Sequence, residues 1–212
     1  MNEKFFDLKK EKQDRMINAA LKVFALNGYR HASTDDIVRE AAISKGLLFH
    51  YFENKLGVYA FVYDYSVRYL LLELSTAVDA KETDLFTLMQ QVETGKMHAM
   101  CGYPYLQPFL NRAQAENVNE ALVAVEERKQ QMEEAYENIY ARADLGKYAA
   151  AEDVVKLRKM MELTIKGLMN ERILEDAFQP EMLHEEILEY LQLSRRLAER
   201  SGQPSDEEIT EK

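Results

Sequence analysis

The sequence predicts an all-α protein of about nine helices, and three observations lead to that prediction. Apolar residues recur at helical spacing through most of the 212 residues, and no segment shows the alternation of a half-buried strand. Only four prolines and eight glycines interrupt the chain. Ser or Asn residues stand directly before several apolar segments, where helix caps are expected.

Residues 8–26 are predicted to form the first, amphipathic helix, because Ile17, Leu21 and Phe24 are spaced to share one face. Asn27 and Gly28 are predicted to end it, since glycine readily adopts the left-handed conformation found at helix ends.

Two short helices joined by a tight turn are predicted within residues 33–55. Ser33 is placed to cap the first, and Asp36 stands three positions later to complete a capping box. Residues 42–43 form the turn, and Ser44 is placed to cap a second helix over residues 45–52. A helix-turn-helix of this spacing is the shape that inserts its second helix into the major groove of DNA. DNA binding is therefore the first functional hypothesis.

The remaining chain continues the helical pattern. Asn54 is predicted to cap a long helix over residues 55–78. Further helical segments are predicted at residues 83–100, 103–112, 118–143, 151–177 and 181–200, with a linker at 145–147 and a break at 179–180. Residues 201–212 are polar and are predicted to be disordered.

The charge distribution permits a DNA partner although the net charge is −10. Residues 1–60 carry +2, residues 61–200 carry −9 and the last twelve carry −3. Cys101 is the single cysteine, which excludes an internal disulfide and suits the reducing cytoplasm. The sequence shows no signal peptide and no apolar stretch long enough to span a membrane, so we expect a cytoplasmic protein without a membrane partner.

A set of residues in order near the N-terminus narrows this hypothesis: Ile17, Ala19-Ala20, Phe24, Gly28-Tyr29, Ser33, Asp36-Ile37, Ala41, Ile43-Ser44-Lys45-Gly46, Leu48, Tyr51-Phe52 and Lys55. With these residues and spacings, the chain resembles the TetR/AcrR family of bacterial transcriptional repressors. The resemblance implies a DNA-binding domain at residues 1–55. It also implies a helical ligand-binding and dimerisation domain at 56–200, followed by the tail at 201–212.

The second helix of the motif would read DNA. Helical geometry places Leu48 and Phe52 on one face, which we assign to the core. The resemblance implies that Lys45 addresses base edges and that Tyr51 and Lys55 contact phosphates. Relative to the common family pattern, Leu47 replaces a Thr and Phe49 replaces a Tyr. The predicted DNA-binding residues are Ser33, Thr34, Ser44, Lys45, Gly46, Leu47, Phe49, His50, Tyr51 and Lys55. The two serines and Thr34 are candidates both for helix caps and for phosphate donors.

The last two predicted helices carry apolar seams that the family would use to form a homodimer. Two half-sites about one DNA turn apart require two-fold symmetry, which also favours a homodimer. The alternative is that the seams pack inside one subunit. The predicted interface residues are Val154, Leu157, Met161, Ile165, Leu168, Leu183, Ile187, Tyr190 and Leu191.

A group of Met and Tyr residues in the middle of the chain predicts a site for a small lipophilic or aromatic effector, because Met fills adaptable cavities and Tyr combines an apolar ring with a polar end. Glu93 or Glu133 nearby would suit a cationic ligand. An ordinary helical core is the alternative. The predicted ligand-binding residues are Tyr65, Tyr69, Met97, Met100, Cys101, Tyr103, Phe109, Met132, Tyr136 and Tyr140.

Other classes of protein fit less well. His98 and Cys101 have the spacing of two ligands on one helix face, but a catalytic zinc site needs a third. No phosphate loop or catalytic signature is present, so we expect no enzyme, no metal and no cofactor. A helical adaptor without DNA binding and a redox sensor acting through Cys101 remain the alternatives.

Overall fold

The computed structural model describes residues 3–148, 150–175 and 178–200, and over these ranges it consists of α-helices and two short 3-10 turns, with no strand. This confirms the all-α prediction. The tail at 201–212 lies outside the described residues. The helices are α1 (Lys10–His31), α2 (Thr34–Glu40), α3 (Lys45–Phe52), α4 (Lys55–Ala77), α5 (Leu85–Gly102), α6 (Leu106–Gln114), α7 (Asn119–Tyr140), α8 (Ala151–Arg172) and α9 (Pro180–Arg200). The 3-10 turns are Glu3–Asp7 and Leu145–Lys147.

The helix-turn-helix is capped as the sequence predicts, except for the capping box. The side chains of Ser33, Ser44 and Asn54 each accept a backbone hydrogen bond at the start of α2, α3 and α4. The carboxylate of Asp36 accepts a hydrogen bond from the Arg39 guanidinium one turn later instead of completing the box. A charged partner on the same helix face outcompetes the return to the backbone.

Gly28 interrupts α1 at the predicted stop, where two helical segments meet at a kink. Its backbone has φ 68° and ψ 174°, a region that is almost restricted to glycine. The chain then completes one more turn, because the N–H of Ala32 bonds to the carbonyl of Gly28. This extra turn carries Tyr29 into contact with the rest of the molecule.

The interior contains two apolar clusters. The first joins the N-terminal helices to α4, α6 and α7, with Phe24, Tyr59 and Phe109 in mutual ring contact. The second lies between α5, α8 and α9. The helix-turn-helix therefore shares its core with the helices that follow it. In the described part of the chain, no helix is long and apolar enough to cross a membrane.

Candidate DNA-reading surface and ligand cavity

Helix α3 packs against the rest of the protein through the face that is predicted to point into the core. Leu48 and Phe52 are buried, at 1% and 3% exposure. Phe5, on the N-terminal 3-10 turn, is fully buried and its ring lies 5.2 Å from that of Phe52 and 5.0 Å from that of Phe61 on α4. Phe5 thus packs between α3 and α4. The sequence interpretation missed this contact, although two adjacent phenylalanines in a charged N-terminal segment were a signal for it.

The opposite face of α3 is open. Lys45, Gly46 and His50 are exposed, and no atom lies within 4 Å of the position a Cβ would take on Gly46. The Lys45 ammonium pairs at 2.8 Å with Asp35 on α2, with both side chains at least half exposed. This face therefore presents backbone, cationic and imidazole groups, and the major groove of DNA is wide enough to admit such a helix.

The other predicted DNA-binding residues flank this open face. Leu47 and Phe49 are half-buried on α3, and Leu47 packs against the first apolar cluster. Ser33 and Thr34 are half-buried at the start of α2, and Ser44 is exposed at the start of α3. The hydroxyl oxygens of both serines cap their helices.

Tyr51 and Lys55, the two residues predicted to contact phosphates, both make contacts within the protein. Tyr51 is 7% exposed, and its ring lies 5.6 Å from that of Phe5. The Lys55 ammonium donates to the carbonyls of Tyr29 at 2.9 Å and Ala32 at 3.3 Å. It also lies 4.5 Å from the centre of the Tyr29 ring. Lys55 thus joins the last turn of α1 to the first turn of α4.

Tyr29 also ties the N-terminal helices to the chain after α6. Its backbone N–H donates to Glu116 at 2.9 Å, and its hydroxyl donates to Glu120 at 2.6 Å. Burial alone would raise the pKa of Glu116, but the N–H groups of Asn117, Tyr29 and Val118 more than offset it, so the pKa is lowered from 4.5. Glu116 therefore remains a charged acceptor at neutral pH.

A second junction uses residues predicted to bind ligand. The hydroxyls of Tyr65 and Tyr103 lie 2.6 Å apart, and Tyr103 donates to Asp14 on α1 at 2.6 Å. Lys10 donates to Asp14 at 2.7 Å and Tyr103 at 3.1 Å. The Tyr69 ring stacks parallel to that of Tyr65. These three tyrosines hold α1 against α4 and the α5–α6 connection.

Only Tyr136 and Tyr140 of the predicted ligand-binding residues line a partly open cavity between α5, α6, α7 and α8. Phe109 and Met132 are core residues of the first cluster, and Met100 belongs to the second. Met97 and Cys101 lie near the exposed end of α5. The cavity has a volume of about 210 Å³, and its lining residues are Met89, Glu93, Lys96, Gln107, Asn111, Gln114, Tyr136, Tyr140, Arg158, Glu162, Ile165, Lys166 and Met169.

The cavity contains charged and polar groups beside its apolar side chains. Lys96 and Glu93 form an ion pair at 2.7 Å, with side-chain exposures of 17% and 6%. Burial opposes a charge on Lys96, but the Glu93 carboxylate outweighs it and raises the pKa of the ammonium. Burial also raises the pKa values of Tyr136 and Tyr140, so both phenols are protonated donors at neutral pH. The Arg158 guanidinium lies 3.9 Å from the centre of the Tyr140 ring.

Cys101 is exposed, but its neighbours do not activate the thiol. Its Sγ donates to the Glu181 carboxylate at 3.3 Å, and burial together with Glu181 raises its pKa. Because the thiolate is the reactive form, this environment lowers reactivity and does not support the redox-sensor alternative.

The predicted dimer residues lie mostly inside one subunit, as the alternative interpretation of the seams stated. Leu157 and Leu168 are half-buried, and Tyr190 is 40% exposed. The other six are at most 6% exposed and form the second apolar cluster: Val154, Met161, Ile165, Leu183, Ile187 and Leu191. These six are core residues, because side chains already covered by their own subunit leave little surface for a partner.

An apolar row that the sequence interpretation missed lies on the outer side of the same helices. On α9, Met182, Tyr190 and Leu193 are 64%, 40% and 45% exposed. On α8, Met160 and Leu163 are 61% and 59% exposed. The signal was an apolar stripe one position away from the inward stripe at 183, 187 and 191.

Comparison with known proteins agrees with the helix-turn-helix geometry. Residues 16–60 match the family model for bacterial regulatory proteins of the tetR family, which confirms the resemblance predicted from the sequence. The uncharacterized HTH-type transcriptional regulator YuxN of Bacillus subtilis (strain 168) is 36% identical over 78 residues. The alignment covers 35% of this chain, and the chain spans only 26% of the length of that relative.

The fold of the whole chain resembles solved structures. A TetR family transcriptional regulator from Chloroflexus aurantiacus J-10-fl has a TM-score of 0.56 and 22% identity, with 94% of each chain covered. The fatty acid degradation regulator FadR from Bacillus halodurans also has a TM-score of 0.56, with 18% identity, 84% of this chain covered and 96% of that chain. At these identities the likeness concerns the fold.

Proposed function

We propose that this chain, a member of the TetR family and therefore a DNA-binding transcriptional regulator, represses its target by binding a palindromic operator as a homodimer. The observation that carries the proposal is the open face of α3, with Lys45, Gly46 and His50 exposed on a helix that Leu48 and Phe52 anchor. A rigidly held helix with one free, partly cationic face is suited to the major groove.

The side chains around this face take separate roles in the proposal. Lys45 addresses base edges from the start of α3, and Gly46 allows close approach of the backbone. Leu47, Phe49 and His50 contact bases or sugars, while Ser33, Thr34 and Ser44 face phosphates near the helix starts. Lys55 positions the helix through its hydrogen bonds to α1, and Tyr51 does so through the packing of its ring on Phe5.

The outer face of α8 and α9 is the proposed dimer interface. The inward stripe of α9 is satisfied by α5 and α8, whereas Met182, Tyr190 and Leu193 form a second apolar stripe on the outside. A two-fold axis would place this stripe against its own copy, the usual arrangement for a dimer that reads a palindrome.

The cavity is the proposed effector site, and α6 links it to the DNA-reading helices. Gln107 and Asn111 of α6 line the cavity, while Phe109 of the same helix contacts Phe24 of α1. Just beyond α6, Glu116 holds Tyr29. A ligand that moves α6 would therefore shift α1 and the start of α4. This shift would change the distance between the α3 helices of the two subunits.

Fluorescence anisotropy with labelled duplexes from the DNA flanking its own gene tests the proposal. We expect salt-sensitive binding that an unrelated duplex does not compete away, with two subunits per duplex by sedimentation. Leu193→Glu should weaken the dimer and DNA binding together, whereas Val123→Glu, at a 69% exposed apolar position on α7, should change neither. Absence of specific binding at low salt would instead favour the helical adaptor.

A further inference from the structure

Two residues that line the cavity each carry a buried polar atom without a partner. Within the described part of the chain, Gln107 Oε1 and the Tyr136 hydroxyl are buried with no hydrogen bond. Gln107 is 6% exposed, and its amide nitrogen already donates to Asn111 at 2.9 Å. Both atoms are covered by the protein as they are placed, but both side chains line the cavity. Buried polar groups are rarely left unsatisfied, so the pair favours a polar occupant that a rotation of either side chain brings within hydrogen-bond distance.

The charges around the cavity favour an anion. Its described lining contains three cations, Lys96, Arg158 and Lys166, and two carboxylates, Glu93 and Glu162. Glu93 pairs with Lys96, and Glu162 pairs with Arg158 at 3.0 Å. Lys166, at the exposed edge, donates to the neutral amide of Gln114 at 2.9 Å. One positive charge is thus not offset by a carboxylate of the lining.

The size and the apolar part of the lining limit the occupant further. A volume of about 210 Å³ is below the ~300–1,000 Å³ of drug-sized sites. Met89, Ile165 and Met169 supply an apolar side for a short hydrocarbon chain. A wholly apolar occupant would leave Gln107 Oε1 and the Tyr136 hydroxyl desolvated and unpaired, which penalises the lipophilic class that the sequence predicted.

We propose that this cavity binds a compact monocarboxylate that also carries a hydrogen-bond donor, of the class of short-chain 2-hydroxycarboxylates. The ligand hydroxyl donates to Gln107 Oε1, its carboxylate accepts from the Tyr136 hydroxyl and faces the cationic side, and its alkyl chain lies against the methionines. This inference rests on the proposed function in taking the cavity as the effector site, and it specifies the chemistry of the effector.

Titration calorimetry on the full-length, DNA-free protein tests the ligand class with three probes of matched chain length. We expect 2-hydroxyhexanoate to bind at least about tenfold more tightly than hexanoate, which lacks the donor, and than hexane-1,2-diol, which lacks the charge. Equal binding of either reference probe, or no binding of 2-hydroxyhexanoate, overturns the proposal.

Variants locate the site. Gln107→Leu and Tyr136→Phe should each reduce the preference for 2-hydroxyhexanoate over hexanoate about tenfold. Tyr63→Phe removes a phenol hydroxyl from the buried core of α4 outside the cavity and should preserve the preference. A preference that survives both cavity variants overturns the assignment. The calorimetry contains no DNA, so its result does not depend on whether the protein binds DNA. Specific DNA binding without acid binding therefore contradicts only this inference, and acid binding without DNA binding contradicts only the proposed function.

Discussion

The ammonium of Lys55 lies 2.9 Å from the carbonyl oxygen of Tyr29, at the end of the helix that Gly28 bends. A lysine at a helix C-terminus satisfies carbonyls that the helix leaves unpaired and opposes the negative end of its dipole. Since Tyr29 is also bonded to Glu116 and Glu120, one residue connects the start of α4, the end of α1 and the chain beyond α6.

Lys55→Met should lower the free energy of unfolding by about 1.5–3 kcal/mol, because charged hydrogen bonds to backbone carbonyls are lost while the apolar stem is kept. Urea denaturation measures this change. DNA affinity should fall while the slope of log affinity against log salt stays constant. A slope smaller by about one would instead assign Lys55 to a phosphate.

Phe5→Ala should cost about 3–5 kcal/mol of unfolding free energy, since it empties a fully buried site between α3 and α4. The same variant should weaken DNA binding, because α3 loses part of its support. Phe6→Ala is the matched control, as Phe6 is 52% exposed and its loss should cost less than about 1 kcal/mol. Equal losses in urea denaturation would show that Phe5 does not brace α3.

Lys45→Ala should relax sequence preference, because this residue stands at the end of α3 that faces base edges. Asp35→Asn tests the same lysine by freeing its charge instead of removing it, since a neutral amide replaces the carboxylate that lies 2.8 Å from the Lys45 ammonium. DNA should then bind several-fold more tightly at low salt, with the gain decreasing as salt rises. Anisotropy titrations against operator and scrambled duplexes measure both effects. A uniform loss across duplexes for Lys45→Ala would mean a phosphate contact.

His184 should make stability depend on pH. It lies on α9 with Nε2 3.2 Å from the Thr94 hydroxyl of α5, and burial lowers its pKa from 6.5 despite the nearby Glu93 and Glu185 carboxylates. The unfolded chain therefore takes up a proton near pH 6.5 that the folded chain resists, so stability is full above this pH and is lost as the pH falls below it.

Urea denaturation between pH 7.5 and 5.5 measures this loss, which for one proton is at most about 1.4 kcal/mol per pH unit. His184→Gln should flatten the dependence, whereas His31→Gln, at an exposed position on α1, should retain it. An unchanged pH profile in His184→Gln would rule out this histidine as the cause.

Local signals were sufficient to predict the helix-turn-helix. Ser33, Ser44 and Asn54 each act on a backbone N–H two or three residues away, and Leu48 and Phe52 share a face through helical geometry alone. The resemblance to the family then assigned the open face its expected role in reading DNA. Gly28 shows where local information ended, because the turn that follows it is held by Glu116, far along the chain.

The cavity and the dimer face depend on packing between distant segments. Tyr65 and Tyr136 look alike in sequence, yet one bonds to Tyr103 at the α1 junction and the other lines the cavity. On α9, Leu191 and Leu193 are both apolar, but only Leu191 faces α5 and α8. Periodicity identifies an apolar stripe without stating which neighbour covers it.

Gly46→Ala should separate folding stability from DNA binding. Glycine within a helix costs about 0.5–1 kcal/mol relative to alanine, and no atom lies within 4 Å of the position the new Cβ would take. The variant should therefore unfold at higher urea concentration than the parent protein. On the open face of α3, the same methyl group would stand between the helix backbone and the groove floor, so DNA affinity should fall.

Gly28→Ala is the contrasting variant, because φ 68° strains alanine by about 1–3 kcal/mol and a Cβ there would meet Arg112 at 3.1 Å. Gly46→Ala with both higher stability and undiminished DNA affinity would show that the backbone of α3 does not approach DNA at this position.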